Sequence, residues 1–226
     1  MRELADGVFQ LRGFPPDAIN VYLIADVLVD AGTKHARRRI LRQLAGRQVS
    51  AHALTHAHPD HQGASHAVCT ELGVPLWCGA GDVVAMETPG GIGRLQHPGL
   101  VNRLQQAFWT GPPQPVDRAL REGDDVAGFT VLEVPGHAPG HVAFWRAADR
   151  VLILGDVLNN VDPRSGRRGL REPLELFTPD PVRNRESIRR LAALEPELCC
   201  FGHGPPLRDP ARVREFAAAL PVDAAP

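Results

Sequence analysis

The sequence has almost no net charge to offer a partner: 25 basic residues stand against 26 acidic ones, a formal balance of -1. Proteins that grip nucleic acid by its phosphates carry a marked cationic excess, so no nucleic acid is expected. There is no run of the roughly 20 apolar residues that a membrane span needs, so no membrane is expected either. The opening MRELADGVFQ lacks the basic-then-apolar layout of a signal peptide, which makes a cytoplasmic location the expectation. The four cysteines, Cys69, Cys78, Cys199 and Cys200, form no C-x-x-C and are read as small buried thiols. Lysine is nearly absent, with Lys34 alone, and neither G-x-S-x-G nor G-x-x-x-x-G-K-[ST] occurs. A serine-hydrolase elbow and a P-loop are thereby excluded.

What is present is an ordinary globular balance, 226 residues with 43% hydrophobic and 23% charged, which excludes collagen, coiled coil and bulk disorder. GVFQLRG, NVYLIAD and VLVDAG read as an opening strand meander. A helix is predicted over 34–45, a buried strand in VSAHALTH, a helix over 61–73 ended by Gly73, and a strand in VPLWCG. Glycine and proline crowd residues 79–115 around one helical piece near 100–108, which predicts an irregular insertion over the core of a single domain spanning 1–226. FTVLEVPG, HVAFWRA and RVLILGD resume the strands. A second irregular stretch is predicted at 159–179, then a helix over 181–194, a strand in ELCCFG, a last helix over 210–220 and a short Ala/Pro tail.

Ten histidines are the one unusual count, and their positions carry the chemistry. THAHPDH, residues 55–61, lies where a strand ends and a helix begins. His56 and His58 are two apart and project to the same side of an extended segment, with Asp60 and His61 following at the turn. Three imidazoles and a carboxylate at one strand end suit a divalent metal that takes nitrogen and oxygen ligands. His137 follows EVPG, Asp156 follows LILG, and His203 follows CCFG, each just past a buried strand. Ligands in open α/β architectures converge at such carboxyl ends. Taken singly, each of these is an ordinary strand-end or turn residue; taken together they predict a metal site. His35, His52, His66 and His97 keep the ordinary reading of surface or satisfied core histidines.

The motifs LVDAG at 28–32, THAHPDH, GHAPGH at 136–141, LILGD at 152–156 and FGHG at 201–204 together resemble the metallo-β-lactamase fold superfamily, in the style of its small glyoxalase II-like members. The resemblance implies an α/β fold, the αββα sandwich, with two mixed sheets flanked by helices and metals at one sheet edge. It implies His56, His58 and His137 as ligands of one metal, and Asp60, His61 and His203 as ligands of a second. Asp156 would be the bridging carboxylate, Asp30 a carboxylate supporting the ligands from behind, and His141 a neighbour of the metals. Two Zn2+ per chain are expected, with iron or manganese as alternatives.

Two divalent ions can generate a bridging hydroxide that attacks an ester, thioester, lactone or phosphoester of a small molecule, and Asp60 is the candidate catalytic residue that orients the water and shuttles its proton. One helix after FGHG leaves little of the C-terminal region of a true glyoxalase II, and Asn159 stands where quorum-quenching lactonases carry a Tyr. His97, Phe108, Trp109, Asn159, Asn160, Arg164, Arg167, Arg168 and Phe177 in the two irregular stretches are the candidates for substrate contact, with RSGRRGLR suited to an anionic substrate. The 79–115 stretch is open to two readings, a cover over the site or a homodimer contact. Rival readings are a mononuclear iron persulfide dioxygenase held by His58, His137 and Asp156, and a non-catalytic metal-binding homologue.

Overall fold

In the computed structural model, which describes residues 1–221, strands alternate their side chains between two apolar environments. The first sheet runs in the order β1 (Arg2–Ala5), β2 (Val8–Gln10), β3 (Tyr22–Ile24), β4 (Val27–Val29), β5 (Ala51–Ala53), β6 (Leu76–Gly79), β7 (Arg118–Leu120). Its first four strands are an antiparallel meander, and β4 to β7 are parallel. The second sheet holds β8 (Asp125–Val126), β9 (Phe129–Glu133), β10 (Val142–Arg146) and β11 (Val151–Gly155) in antiparallel succession. A separate hairpin of β12 (Asn159–Val161) and β13 (Arg168–Arg171) follows, and β14 (Leu198–Phe201) closes the second sheet parallel to β11.

Period-2 burial explains the layering. Tyr22, Ile24, Val27, Val29, Phe129, Val131, Phe144, Val151, Ile153 and Cys200 face inward and pack the two sheets on each other. Their neighbours face outward. Leu23 and Leu28 meet Ile40 and Leu44 of α1 (Arg37–Leu44), together with Val68 beyond it. Leu152, Leu154, Cys199 and Phe201 meet Ile188, Leu191, Val213 and Ala217 on the other side. Cys199 and Cys200 are thus buried on opposite faces of one strand, and all four cysteines are free thiols. Four layers result, helices on sheet on sheet on helices. No helix among the described residues is long and apolar enough to cross a membrane.

The helix expected over 61–73 is two pieces, α2 (Pro59–Gln62) and α3 (Ser65–Leu72), the latter ended by Gly73 in the left-handed region. They break at Gly63, where a Cβ would lie 2.3 Å from the Lys34 amide nitrogen and 2.4 Å from the Trp109 carbonyl oxygen. The stretch 79–115 is more helical than its Gly/Pro content predicts, holding α4 (Val83–Glu87), α5 (Leu100–Trp109) and two 3-10 turns. Residues 159–179 likewise contain the β12–β13 hairpin. Its turn is built by Asp162, whose carboxylate accepts the Arg164 N–H at 2.9 Å and the Ser165 hydroxyl at 2.9 Å, with Gly166 at φ +69°. β1, β7 and the two-residue β8 are additional to the expected strands. Finally, α6 (Pro181–Ala192) and α7 (Pro210–Ala218) begin alike, with Asp180 and Asp209 accepting the N–H three residues on and proline in the first turn. The Ala/Pro tail beyond residue 221 lies outside the described residues.

Candidate metal centre

The polar residues singled out in the sequence converge at one edge of the sandwich, beyond the carboxyl ends of β4, β5, β11 and β14 and the end of β9. His56, His61 and His137 are buried, as are His58 and Asp156, while His203 and Asp60 keep side-chain exposures of 19% and 17% that leave a way in from solvent. The ligand atoms of His56, His58 and His137 lie within 4.8 Å of one another, as do those of His56, His61 and Asp156, and those of Asp60, His61 and His203. These overlapping groups share His56 and His61, so they form one cluster. Gly202 makes room for it: a Cβ there would stand 1.9 Å from Asp156 Oδ1 and 2.7 Å from His61 Cε1.

Hydrogen bonds decide which imidazole nitrogen faces inward. His61 Nδ1 donates to the Asp30 carboxylate at 2.9 Å. Thr55 Oγ1 donates to Asp30 Oδ2 at 2.9 Å, so it accepts from His56 Nδ1 at 3.0 Å. Thr178 Oγ1 donates to the Leu174 carbonyl at 3.0 Å and accepts from His137 Nδ1 at 3.0 Å. His203 Nδ1 donates to the Ala18 carbonyl. With Nδ1 tied down in all four, each ring leaves Nε2 as the nitrogen that faces the cluster. The Nε2 atoms of His56, His58, His61 and His137 are buried and have no hydrogen-bond partner among the described residues. An unmatched buried polar atom costs about 1–3 kcal/mol, and packing offers no reason to assemble four. Divalent cations bound in this cluster would satisfy them, and the donor set of imidazole nitrogens and carboxylates matches the preference of zinc or iron.

Electrostatics divides the cluster in two. Burial, reinforced by the neighbouring imidazoles, holds His56 and His137 well below the usual histidine range. Burial also lowers His58 to about 4 and His141 to about 3. Burial opposes charge on His61 as well, yet Asp156 and Asp30 overcome it and raise its pKa to about 10. His203 is likewise raised, against burial, by Asp156 and Asp60. In return, His203 and His61 outweigh burial and hold Asp156 well below the carboxylate range, and His203 lowers Asp60. His203 Nε2 stands 3.0 Å from Asp156 Oδ2 and 3.3 Å from Asp60 Oδ2. One half is therefore a neutral imidazole set, the other an imidazole–carboxylate set.

Asp30 lies behind His61 as its motif implies, and His141 stacks on His56 with ring centroids 4.5 Å apart. Among the substrate-side candidates, Trp109 and Phe177 are half-buried, and Phe177 immediately precedes the Thr178 that holds His137. Asn159 is buried with its Oδ1 unpaired, whereas the Asn160 amide donates to the Pro205 carbonyl at 2.8 Å and is a structural tie. Arg164, Arg167 and Arg168 are exposed on the β12–β13 hairpin, and His97 and Phe108 are exposed on the other segment. His52 is a satisfied core histidine, bonded to the Leu28 carbonyl and the Ser65 hydroxyl. The sequence reading missed Thr55, Thr178 and Asp82. Only Thr55, adjacent to His56, carried a local signal.

The model of the metallo-beta-lactamase superfamily matches residues 14–203. The chain is 31% identical over 239 aligned positions to the probable metallo-hydrolase YflN of Bacillus subtilis, covering 91% of this chain and 86% of that protein. It is 40% identical over 94 positions to a hydroxyacylglutathione hydrolase of Fuscovulum blasticum, a match confined to 39% of this chain and 33% of the relative. Among solved structures, the metallo-beta-lactamase family protein TTHA1429 from Thermus thermophilus superposes with a TM-score of 0.71 at 28% identity, over 96% of this chain and 80% of that one. TTHA1623, solved in a di-iron-bound form, superposes with a TM-score of 0.61 at 32% identity, over 89% and 88% of the two chains. The motifs, the layered sheets and these likenesses agree: this chain belongs to the metallo-beta-lactamase superfamily.

Proposed function

We propose that the chain is a binuclear metal-dependent hydrolase, loaded with two Zn2+, that cleaves an ester, thioester, lactone or phosphoester of a small molecule. The observation that carries this reading is the set of buried, unpartnered Nε2 atoms of His56, His58, His61 and His137, with the Nδ1 protons of His56, His61 and His137 tied down behind them. His56, His58 and His137 would hold one ion, Asp60, His61 and His203 the other, with Asp156 between them. Bound there, the ions supply an activated water at neutral pH and polarise the substrate oxygen. The chain's own contribution is orientation. Asp60 Oδ2, at the partly exposed mouth beside His203, is placed to accept the proton of the attacking water and return it to the leaving group. The Asp30–His61 and Thr178–His137 pairs keep the imidazoles in the tautomer that coordinates.

The hydroxyacylglutathione hydrolase relative supports a thioester within this substrate range, and Trp109, Asn159, Phe177 and the cationic hairpin with Arg168 are the proposed contacts for an anionic one. The di-iron form of TTHA1623 supports iron as the rival metal. The test is metal analysis of protein purified without added metal, followed by a panel of esters, thioesters, lactones and phosphodiesters run on the parent and on Asp60→Ala. Turnover by the parent at two metals per chain, lost by about 100-fold or more in Asp60→Ala at equal metal content, is expected. A single iron per chain with oxygen uptake on a persulfide would overturn the hydrolase, and an inert loaded parent would leave a metal-binding protein without catalysis.

A further inference from the structure

Asp82 is a carboxylate that the cluster does not include. It is fully buried, and among the described residues no cationic side chain acts on it. It occupies the N-cap position of α4 but makes no side-chain bond to its own helix, forgoing the role that favours Asp there. Instead its two oxygens are divided between two distant segments. Oδ2 accepts the Ala57 N–H at 2.8 Å, and Oδ1 accepts the Gly140 N–H at 2.7 Å.

Those two amides are not arbitrary. Ala57 is the residue between His56 and His58, and Gly140 lies between His137 and His141. One side chain therefore straps together the two segments that carry the neutral imidazole half of the cluster. The approach is close: a Cβ on Gly140 would lie 2.4 Å from the Asp82 nitrogen and 2.7 Å from its Cγ, and a Cβ on Gly81 would lie 2.8 Å from the Gly140 nitrogen. Burial pushes the Asp82 carboxyl up to about 6, with the two N–H bonds pulling the other way. A buried charge without a counter-charge is a costly way to join two loops that apolar packing could join instead. What it adds is direction, since each oxygen fixes one peptide plane.

We propose that Asp82 is a positioning residue for the metal centre: by holding the Ala57 and Gly140 amides on its two oxygens, it sets the spacing between the His56–His58 pair and His137. The proposal rests on reading those three histidines as ligands of one metal.

The experiment compares the parent with Asp82→Asn and Asp82→Ala, measuring metal affinity by competition with a chromophoric chelator, the visible spectrum of the Co2+-substituted protein, and the melting temperature of the metal-free forms. Asn keeps one acceptor and sets an NH2 against the other amide, so the affinity of the His56, His58 and His137 group should fall about tenfold. Ala removes both acceptors, and a fall of about 100-fold is expected, in the range seen when outer partners of ligands are removed. The Co2+ bands should shift in both. If Asp82→Ala does not fold, the near-isosteric Asp82→Asn decides alone. Affinities within about twofold of the parent with unchanged Co2+ spectra, any loss being confined to the metal-free melting temperature, would overturn the proposal and leave Asp82 a structural tie. A parent that binds no metal would instead overturn the metal reading itself.

Discussion

Replacing Asp30 by Asn isolates the tautomer argument. Asp30 is buried and accepts three protons: the Thr55 N–H at 2.8 Å, the Thr55 hydroxyl at 2.9 Å and His61 Nδ1–H at 2.9 Å. Its φ of +62° is a conformation that Asn also tolerates, so the backbone has no reason to move. Asn offers one carbonyl oxygen and one NH2. With the oxygen toward Thr55, the NH2 faces His61 Nδ1, and the ring must shift its proton to Nε2, where a metal would bind. With the oxygen toward His61, the Thr55 N–H is left buried and unpaired. Either arrangement costs about 1–3 kcal/mol, and at 1.4 kcal/mol per tenfold the first corresponds to roughly a 10- to 100-fold loss of affinity for the metal proposed at Asp60, His61 and His203. Chelator competition resolved into two sites should show that loss, with the His56, His58 and His137 group within about threefold of the parent. Two sites of parental affinity in Asp30→Asn would refute the claim that Asp30 sets the protonation of His61.

Two further outcomes follow from burial. His52 is neutral in the folded chain, with burial lowering its pKa to about 4 from the 6.5 expected when unfolded; because the unfolded state takes up the proton first, its contribution is complete above pH 6.5 and is lost as pH falls toward 4. About 2 kcal/mol should disappear between pH 7 and 5, and urea titrations of His52→Gln should show a correspondingly shallower dependence; an identical slope would exclude His52 as the source. The cysteines should be inert, since burial pushes Cys69 and Cys200 up to about 12 and Cys78 and Cys199 higher still. A thiol-specific reagent at pH 8 should label none in the native protein and all four after denaturation, and rapid labelling of any one would contradict its burial.

Much of the site was legible because its residues follow a local rule. A ligand just past a buried strand leaves a mark in sequence, an apolar run, then Gly, then His or Asp, and His137, Asp156 and His203 all carry it. The two-residue spacing of His56 and His58 and the turn into Pro59 mark the fourth strand end. The strands failed to show where pairing rather than composition makes them: β12 and β13 are Asn- and Arg-rich, and exist because Asp162 and Gly166 close a turn between them. The break at Gly63 was hidden for a similar reason, since the Lys34 and Trp109 backbones that crowd it are distant in sequence.

By itself the sequence determined which chemical groups stand at which strand ends, and hence a candidate metal-binding edge on a layered α/β fold. Tertiary structure alone decided the protonation and aim of those groups. Asp30 lies 31 residues from His61, Thr178 lies 41 from His137, and the carbonyl of Ala18 lies 185 from His203. Asp82 stands at the N-cap position of α4, yet its two partners lie 25 and 58 residues away. Residue spacing records only what neighbours along the chain can do together, whereas a hydrogen bond of about 3 Å between distant segments exists only once the sheets have packed.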